Sequence, residues 1–293
     1  MTSHEWSLLD PLQMTERGPS DAVTVIEPPH GLGTPDWSAV WRLRGLLSMF
    51  LWRDVMVRYK QTLLGVFWIV LQPLMTTAIY SVFFGYIARI ATEGKPYPVY
   101  VLATIVLWQF FVRTVSDAST SVHSQQSLIG KVYFPRVILP ISVALSSAFD
   151  FLINFSVSLL IISAMGYPPP LRGAAALLFF LAAAVFAVGL GFWLSALDAL
   201  YRDVRYLLSF VLQVWYFATP ILYPISAIPE RWHWVFWLNP MVPLVQGFRW
   251  CVLDSVTPPD WLQLSLSVVL IVAVLYSGAV FFHRIEDTIV DRV

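Results

Sequence analysis

The run GAAALLFFLAAAVFAVGLGFWLSAL, residues 173–197, contains no Asp, Glu, Lys or Arg. As a helix it extends about 37 Å at 1.5 Å per residue. That exceeds the roughly 30 Å of hydrocarbon in a bilayer. Other runs free of those charges lie at 61–88, 96–112, 151–171, 206–229 and 261–283. A segment in lipid must satisfy its own backbone hydrogen bonds, so runs this apolar read as helices. The pattern predicts an all-α integral membrane protein with six transmembrane helices at about 63–88, 98–118, 138–165, 173–197, 206–224 and 261–283.

Composition agrees. Charged residues make up 12% of the 293, against about 25% in soluble domains, and mean hydropathy is +0.69. The net charge of zero offers nothing to nucleic acid. Cys251 is the lone cysteine, which excludes an intrachain disulfide and cysteine-based zinc or redox motifs. Residues 1–36 carry Glu5, Asp10, Glu16, Asp21, Glu27 and Asp36 against Arg17. They lack an apolar h-region and read as an acidic flexible leader, not a cleavable signal.

Residues 232–253 are apolar, but Pro240, Pro243 and Gly247 interrupt them. Broken backbone is tolerated at membrane depth only inside protein or beside water. A re-entrant pair of short helices, over 226–250, is expected instead of a seventh span. With six spans and an inward N-terminus, Arg17, Arg42, Arg44, Arg53, Arg58, Lys60, Lys131, Arg136, Arg202, Arg205, Arg284 and Arg292 face the cytoplasm. Arg89, Lys95, Arg172, Arg231 and Arg249 face out, and Arg113 lies within the second span. This asymmetry follows the positive-inside rule. It leaves 284–293 as a cytoplasmic tail.

Residues 37–60 read as an amphipathic interface helix capped by Asp36, ahead of a membrane domain at 61–283. Leu43, Leu46, Leu47, Phe50 and Val57 share one side of it, and Arg42, Arg53 and Lys60 cluster alongside within reach of lipid phosphates. Asp54 and Arg58 intrude on the apolar side and are spaced to pair. The segment also serves as a basic flank that fixes topology.

No phosphate-binding loop, H-E-x-x-H or G-x-S-x-G occurs, and the five histidines lack metal-ligand spacing. The chain reads as a non-enzyme that takes its energy from another polypeptide. Asp150 is the acid placed deepest in a span. It is either a conduit or relay residue or one half of an interhelical hydrogen bond with Asn154, and packing is favoured because no second acid or histidine lies at that depth. Arg113 and Asp117 are spaced for a local ion pair. Asp198, Arg202, Asp203 and Arg205 read as a solvated turn. Aromatic residues within spans include Trp68, Tyr80, Phe84, Trp108, Phe111, Trp215 and Tyr216. Each is read as lipid-facing or packed unless several face a common pore. Between spans two and three, a short helix through Ser124–Ile129, stopped by Gly130 and Pro135, would serve as a connector or as a docking element for a soluble motor.

Four stretches in one order carry a resemblance: WRDVMVRYKQTLLGVFWIVLQPL (52–74), GKVYFPRVILP (130–140), YRDVRYLLSFVLQVWYFATPILYP (201–224) and LNPMVPLVQGFRW (238–250). Together they resemble the membrane subunit of type-2 ABC exporters, in the polysaccharide, O-antigen, capsule and teichoic-acid branch, over about residues 37–283. The resemblance implies a homodimer of permeases in a bacterial cytoplasmic (inner) membrane, with two copies of a separate subunit that binds ATP and Mg. No cofactor is expected on this chain. The implied substrate is a lipid-linked glycan of the undecaprenyl-phosphate type. Its head group would meet Arg42, Arg53, Arg58 and Lys60. ATPase coupling would fall to Ser127, Leu128, Ile129 and Lys131 in a coupling helix at about 122–131, and Trp68, Tyr80, Phe84, Trp108, Phe111, Trp215 and Tyr216 would line the channel. A type-2 exporter of a drug or small lipid shares this architecture. A membrane glycosyl- or acyltransferase would need clustered carboxylates or a histidine near an interface. A passive channel would leave the inner loop without purpose.

Overall fold

The charge-free runs fold as helices in the computed structural model, which describes residues 35, 37–60, 67–129, 134–201, 203–254 and 256–292 and has no strand among them. Two surface helices, α1 (Trp37–Arg42) and α2 (Arg44–Lys60), precede the first span. The expected single helix over 37–60 is therefore broken at Leu43, and its proposed cap Asp36 lies outside the described residues. Leu46, Leu47 and the fully buried Phe50 anchor α2 onto Phe134, Val137 and Ile138. Val57, expected on the apolar side, is 71% exposed.

The first span is α3 (Phe67–Tyr80), which continues as a π-helical turn over Ser81–Ile87. Proline at 73 removes one backbone donor from this helix, and the widened turn follows a few residues on. The described residues begin at 67 here, so the predicted start at 63 is outside them. Next come α4 (Tyr97–Ser119), the one-turn helices α5 (Ser121–Ser124) and α6 (Gln126–Ile129), α7 (Ile138–Ala164) and α8 (Ala176–Leu200). Gly166, at a φ of 89°, turns the chain after α7 in a conformation a Cβ would strain.

The central helix is α4, most of whose apolar stretch is buried against α7, α8 and a short helix further along the chain, Met241–Val252. By contrast, α3 and the last span, α12 (Trp261–Arg292), are peripheral, with 17% and 22% buried. Helix α12 crosses α8 at very close range. A Cβ on Gly278 would sit 2.5 Å from the carbonyl oxygen of Gly189. Small residues at such a crossing let helix backbones approach in lipid, where packing replaces the hydrophobic drive.

Among the described residues five helices are long and apolar enough to span: Phe67–Ile87, Tyr97–Ser119, Ile138–Ala164, Leu171–Leu200 and Trp261–Glu286. The predicted fifth span at 206–224 is shorter than expected. It is α9 (Val204–Phe217), 14 residues or about 21 Å. Proline at 220 disfavours helix at the residue before it, and the chain leaves the helix at Ala218. Two short helices follow before the last span, α10 (His233–Trp237) and α11 (Met241–Val252), broken at Asn239–Pro240.

Side-chain contacts tie the loops at each end of the bundle. At the α2 end, the Arg136 backbone N–H donates to Glu286 Oε1 at 2.9 Å. At the opposite end, Arg172 Nη2 pairs with Asp254 at 3.1 Å and the Thr257 N–H donates to Glu93. The turn between α8 and α9, expected to be solvated, is instead closed by an ion pair whose carboxylate is buried. Arg205 grips Asp198 through two bonds of 3.1 Å, and Asp198 is 2% exposed. Arg202 lies outside the described residues.

Candidate functional site

Helices α3 and α9 lean on α4 along one edge, leaving an open groove of about 460 Å³ between them. Tyr80 and Thr76 come from α3; Trp108, Gln109, Val112 and Ser116 from α4; Ser209, Gln213, Tyr216 and Phe217 from α9. The rings form a continuous series. Tyr80 stacks on Tyr216 at 6.0 Å, Trp108 lies 5.6 Å from Tyr216, and Phe84 abuts Tyr80 at 5.8 Å. Aromatic faces beside carboxamides and hydroxyls form the surface that a sugar ring fits: C–H faces stack on rings while hydroxyls bond to Gln and Ser.

Among the proposed channel aromatics, Tyr80, Trp108 and Tyr216 line this groove. Phe111 and Trp215 do not. Phe111 is fully buried against Phe186, and Trp215 turns inward to donate its indole N–H to Asn239 Oδ1 at 2.9 Å. Trp68 is 52% exposed and outside the groove. Their positions follow from the helical repeat of 100° per residue, which places 215 about a third of a turn from the stripe at 209, 213 and 216.

At the α2 end a second cavity, of about 470 Å³, lies between α2, α4, α5 and α7. Arg53, Asp54, Arg58, Asp117, Gln125 and Ser146 are among its walls. Of the four proposed entrance cations, Arg53 and Arg58 line it; Arg42 and Lys60 do not. Arg53 pairs with neighbouring Asp54 at 2.8 Å and donates to Gln125 at 2.9 Å. The expected Asp54–Arg58 pair is absent among the described residues. Arg58 reaches across to Asp150, and Arg113 reaches the same carboxylate at 3.2 Å. Asp117 lies 3.7 Å from both arginines, so the predicted Arg113–Asp117 pair is one side of a four-charge cluster. Asp150 therefore takes two arginines as partners, where the sequence suggested Asn154. The cost of burying a carboxylate explains this: ionic partners offset desolvation that an amide cannot.

The proposed coupling segment is α5 and α6, not one helix. Ser127 is exposed, while Leu128 packs partly into the cluster around Phe50 and Ile138. Lys131 and the side chain of Ile129 lie outside the described residues. Arg53 to Gln125 joins this segment to α2.

Sequence reasoning missed two residues that hold the opposite end. Arg249, assigned to an outer surface, is 4% exposed. Its guanidinium donates to the carbonyls of Pro220 and Ile221 at 2.9 and 3.0 Å, to Tyr100 Oη at 2.5 Å and to Thr104 Oγ1 at 3.3 Å. It also sits 3.8 Å from the Tyr100 ring centre. Asn239 donates to the Ala218 carbonyl at 3.1 Å and to Thr219 Oγ1 at 3.0 Å, and accepts from Trp215 and the Met241 N–H. Thr219 and Tyr223 hydroxyls take the Trp215 and Phe217 carbonyls. The carbonyls that α9 leaves open where it breaks are thus met by side chains, which is what permits the break. The available signal was one arginine and one asparagine inside an otherwise apolar segment.

Residues 46–253 match the family model described as ABC-2 type transporter. The chain is 26% identical over 251 residues to an O-antigen export system permease protein, RfbA, of Myxococcus xanthus, covering 85% of this chain and 95% of that one. It is 25% identical over 242 residues to an RfbA of Klebsiella pneumoniae, covering 82% and 92%. It is 21% identical over 242 residues to the polysialic acid transport protein KpsM of Escherichia coli, covering 82% and 93%. With a match over most of its length and helices that fit a bilayer, the chain is a multi-pass membrane protein belonging to the ABC-2 type transporter family.

Proposed function

We propose that the chain is the permease subunit of an ATP-driven exporter that moves a lipid-linked polysaccharide, of O-antigen, capsule or teichoic-acid type, across the bacterial cytoplasmic membrane. The observation that carries this reading is the groove of Tyr80, Trp108 and Tyr216 with Gln109, Gln213 and Ser209. Its alternation of rings with amides and hydroxyls suits hydroxylated rings better than purely apolar cargo. The names of the relatives, O-antigen export and polysialic acid transport, support the same substrate class.

In this reading two copies pair across the exposed faces of α3 and α9, closing the groove into a conduit. Exposed side chains there include Met75, Ile79, Phe210, Val214 and Phe217. Two ATP-binding subunits dock against α2 and the α5–α6 segment on the cytoplasmic side, where both termini lie, and bind the ATP and Mg. With Arg249 buried, the outward cations reduce to Arg89, Lys95, Arg172 and Arg231, which sharpens the positive-inside asymmetry. Arg53 attracts the lipid phosphate, with Arg42 and Lys60 adding positive charge on the same two surface helices, whereas Arg58 holds Asp150.

Deletion of the gene in the source bacterium tests the reading. Surface polysaccharide should disappear and its lipid-linked precursor accumulate inside, with both restored by the wild-type chain. Unchanged surface polysaccharide in the deletion strain overturns the proposal.

A further inference from the structure

A third cavity, of about 360 Å³, lies between α3, α4 and α7, within the range of small-molecule sites. Its walls are unusual for membrane depth. They present the carboxamides of Gln72, Gln109 and Asn154, the Ser147 hydroxyl and the Arg113–Asp150 pair. Ser147 is 1% exposed, yet among the described residues its Oγ has no hydrogen-bond partner, and neither does Asn154 Oδ1. An unmet polar atom away from water costs on the order of 1–3 kcal/mol. Two of them in one cavity point to an occupant that supplies a donor to Asn154 Oδ1 and a hydrogen-bond partner to the Ser147 hydroxyl.

Charge and shape narrow the occupant. The surrounding cluster holds two arginines, Arg58 and Arg113, and two aspartates, Asp117 and Asp150. Among the described residues their formal charges cancel, so the cavity carries no net charge that would select an anion or a cation. Trp108, Phe110 and Phe151 supply ring surface, and Trp108 and Gln109 also line the groove. We propose that this cavity is a second ligand site, opening beside the export groove at Gln109, that takes a neutral sugar unit through its hydroxyl or acetamido groups. The assignment rests on the export reading. It adds a place where one residue of the passing glycan leaves the conduit and is held between α4 and α7.

Cysteine chemistry tests it cleanly, because Cys251 is the lone native thiol and is buried. In a Cys251→Ala parent that restores surface polysaccharide, Asn154→Cys and Ser147→Cys are exposed to a permanently charged thiol reagent. Leu152→Cys, 47% exposed on the same helix, is the lipid-facing comparison. The probe is the oligosaccharide repeat released by mild acid from the host's own surface polysaccharide. The proposal expects labelling at 154 at least tenfold faster than at 152, slowed at least threefold by the probe. If Ser147→Cys fails to assemble, Asn154→Cys alone decides. Absence of labelling means a dry cavity and overturns the site. Labelling without protection means water only and overturns the sugar assignment. A Cys251→Ala parent made in normal amount that exports nothing, with the wild type equally inactive, strikes the export reading itself.

Discussion

Replacing Arg249 by Met tests what holds the broken end of the bundle. Met keeps much of the side-chain length and removes every guanidinium N–H, and with them four hydrogen bonds. Tyr100 Oη and Thr104 Oγ1 lose a bond, and the Pro220 and Ile221 carbonyls stay buried with nothing to accept from. Two orphaned carbonyls cost roughly 2–6 kcal/mol, and loss of the contact with the Tyr100 ring adds about 1–2 kcal/mol. Removing a desolvated guanidinium returns part of this. No carboxylate lies within 4 Å of it among the described residues, so its own burial is costly. The balance favours a net loss of about 3 kcal/mol, because the acceptors left behind are backbone atoms that cannot relax away. Tyr100→Phe deletes a single acceptor and should cost about 1 kcal/mol. The double variant should match Arg249→Met within about 0.5 kcal/mol, since the guanidinium has already gone. Reversible unfolding in mixed micelles with rising SDS, followed by tryptophan fluorescence, reads all three. Wild-type stability in Arg249→Met, or strict addition of the two costs, refutes the assignment of this end of the fold to Arg249.

At the other end, Asp150→Asn leaves Arg58 and Arg113 with Asp117, 3.7 Å from each, as their one carboxylate partner among the described residues. Breaking a buried pair costs about 3–5 kcal/mol. Because the Arg113 side chain is 39% exposed, the lower end, about 3 kcal/mol, is expected in the same unfolding assay. Arg58→Met combined with Asp150→Asn should cost less than the sum by about 1–2 kcal/mol, and additive costs exclude the contact. In the groove, Tyr216→Ala should lower surface polysaccharide several-fold per unit of protein, whereas Tyr216→Phe, which keeps the ring, should export normally; equal loss in the Phe variant would assign the role to the hydroxyl. Gly278→Leu must push α12 off α8, because its Cβ meets the Gly189 oxygen at 2.5 Å. About 2–3 kcal/mol of stability should be lost, read as a lower SDS midpoint, and an unchanged midpoint would mean that the two helices separate without cost.

Charge-free length was enough to locate the helices, because hydrocarbon forbids almost any other backbone. The same logic located the interrupted segment before the last span. It overran the fifth span, whose run of apolar residues continues to Pro229 although the helix stops at Phe217. Thr219–Pro220 was the visible cue, and composition outweighed it. Pairings were out of reach. Arg58 and Asp150 are 92 positions apart, and Arg249 and Tyr100 are 149 apart. No local spacing encodes such contacts, so the nearest polar neighbours, Asp54 and Asn154, stood in for the true partners. Aromatic facing was partly legible. Positions 105, 108, 109, 112 and 116 share one side of α4, and 209, 213 and 216 one side of α9. Applied to the whole list, that periodicity would have set Trp215 aside.

The polar groups inside this bundle fall into two kinds, and the difference bears on function. Asn239 and the Asp198–Arg205 pair have their bonds met by protein partners, and Arg249 makes four, with only its Nε unpartnered among the described residues. In lipid such closed sets stabilise one arrangement of broken helices and have little left to offer a ligand. The groups around Gln109 are different. Gln213 and Ser209 face an open groove, while Ser147 and Asn154 face a cavity with bonding capacity unmet. Polar groups at membrane depth are costly, and those that face a cavity mark a path for water or cargo. The closed sets lie toward the helix ends and the open ones along the α3–α4 seam, so the seam is where a polar chain can slide past without competing against the contacts that hold the fold. Substitutions should divide the same way. Closing changes at the seam, such as Gln109→Leu, should leave unfolding nearly untouched or raise its midpoint while lowering export. Changes at Asn239 or Arg249 should lower stability and export together. A Gln109→Leu variant that unfolds early yet exports fully would reverse the division and with it the placement of the cargo path.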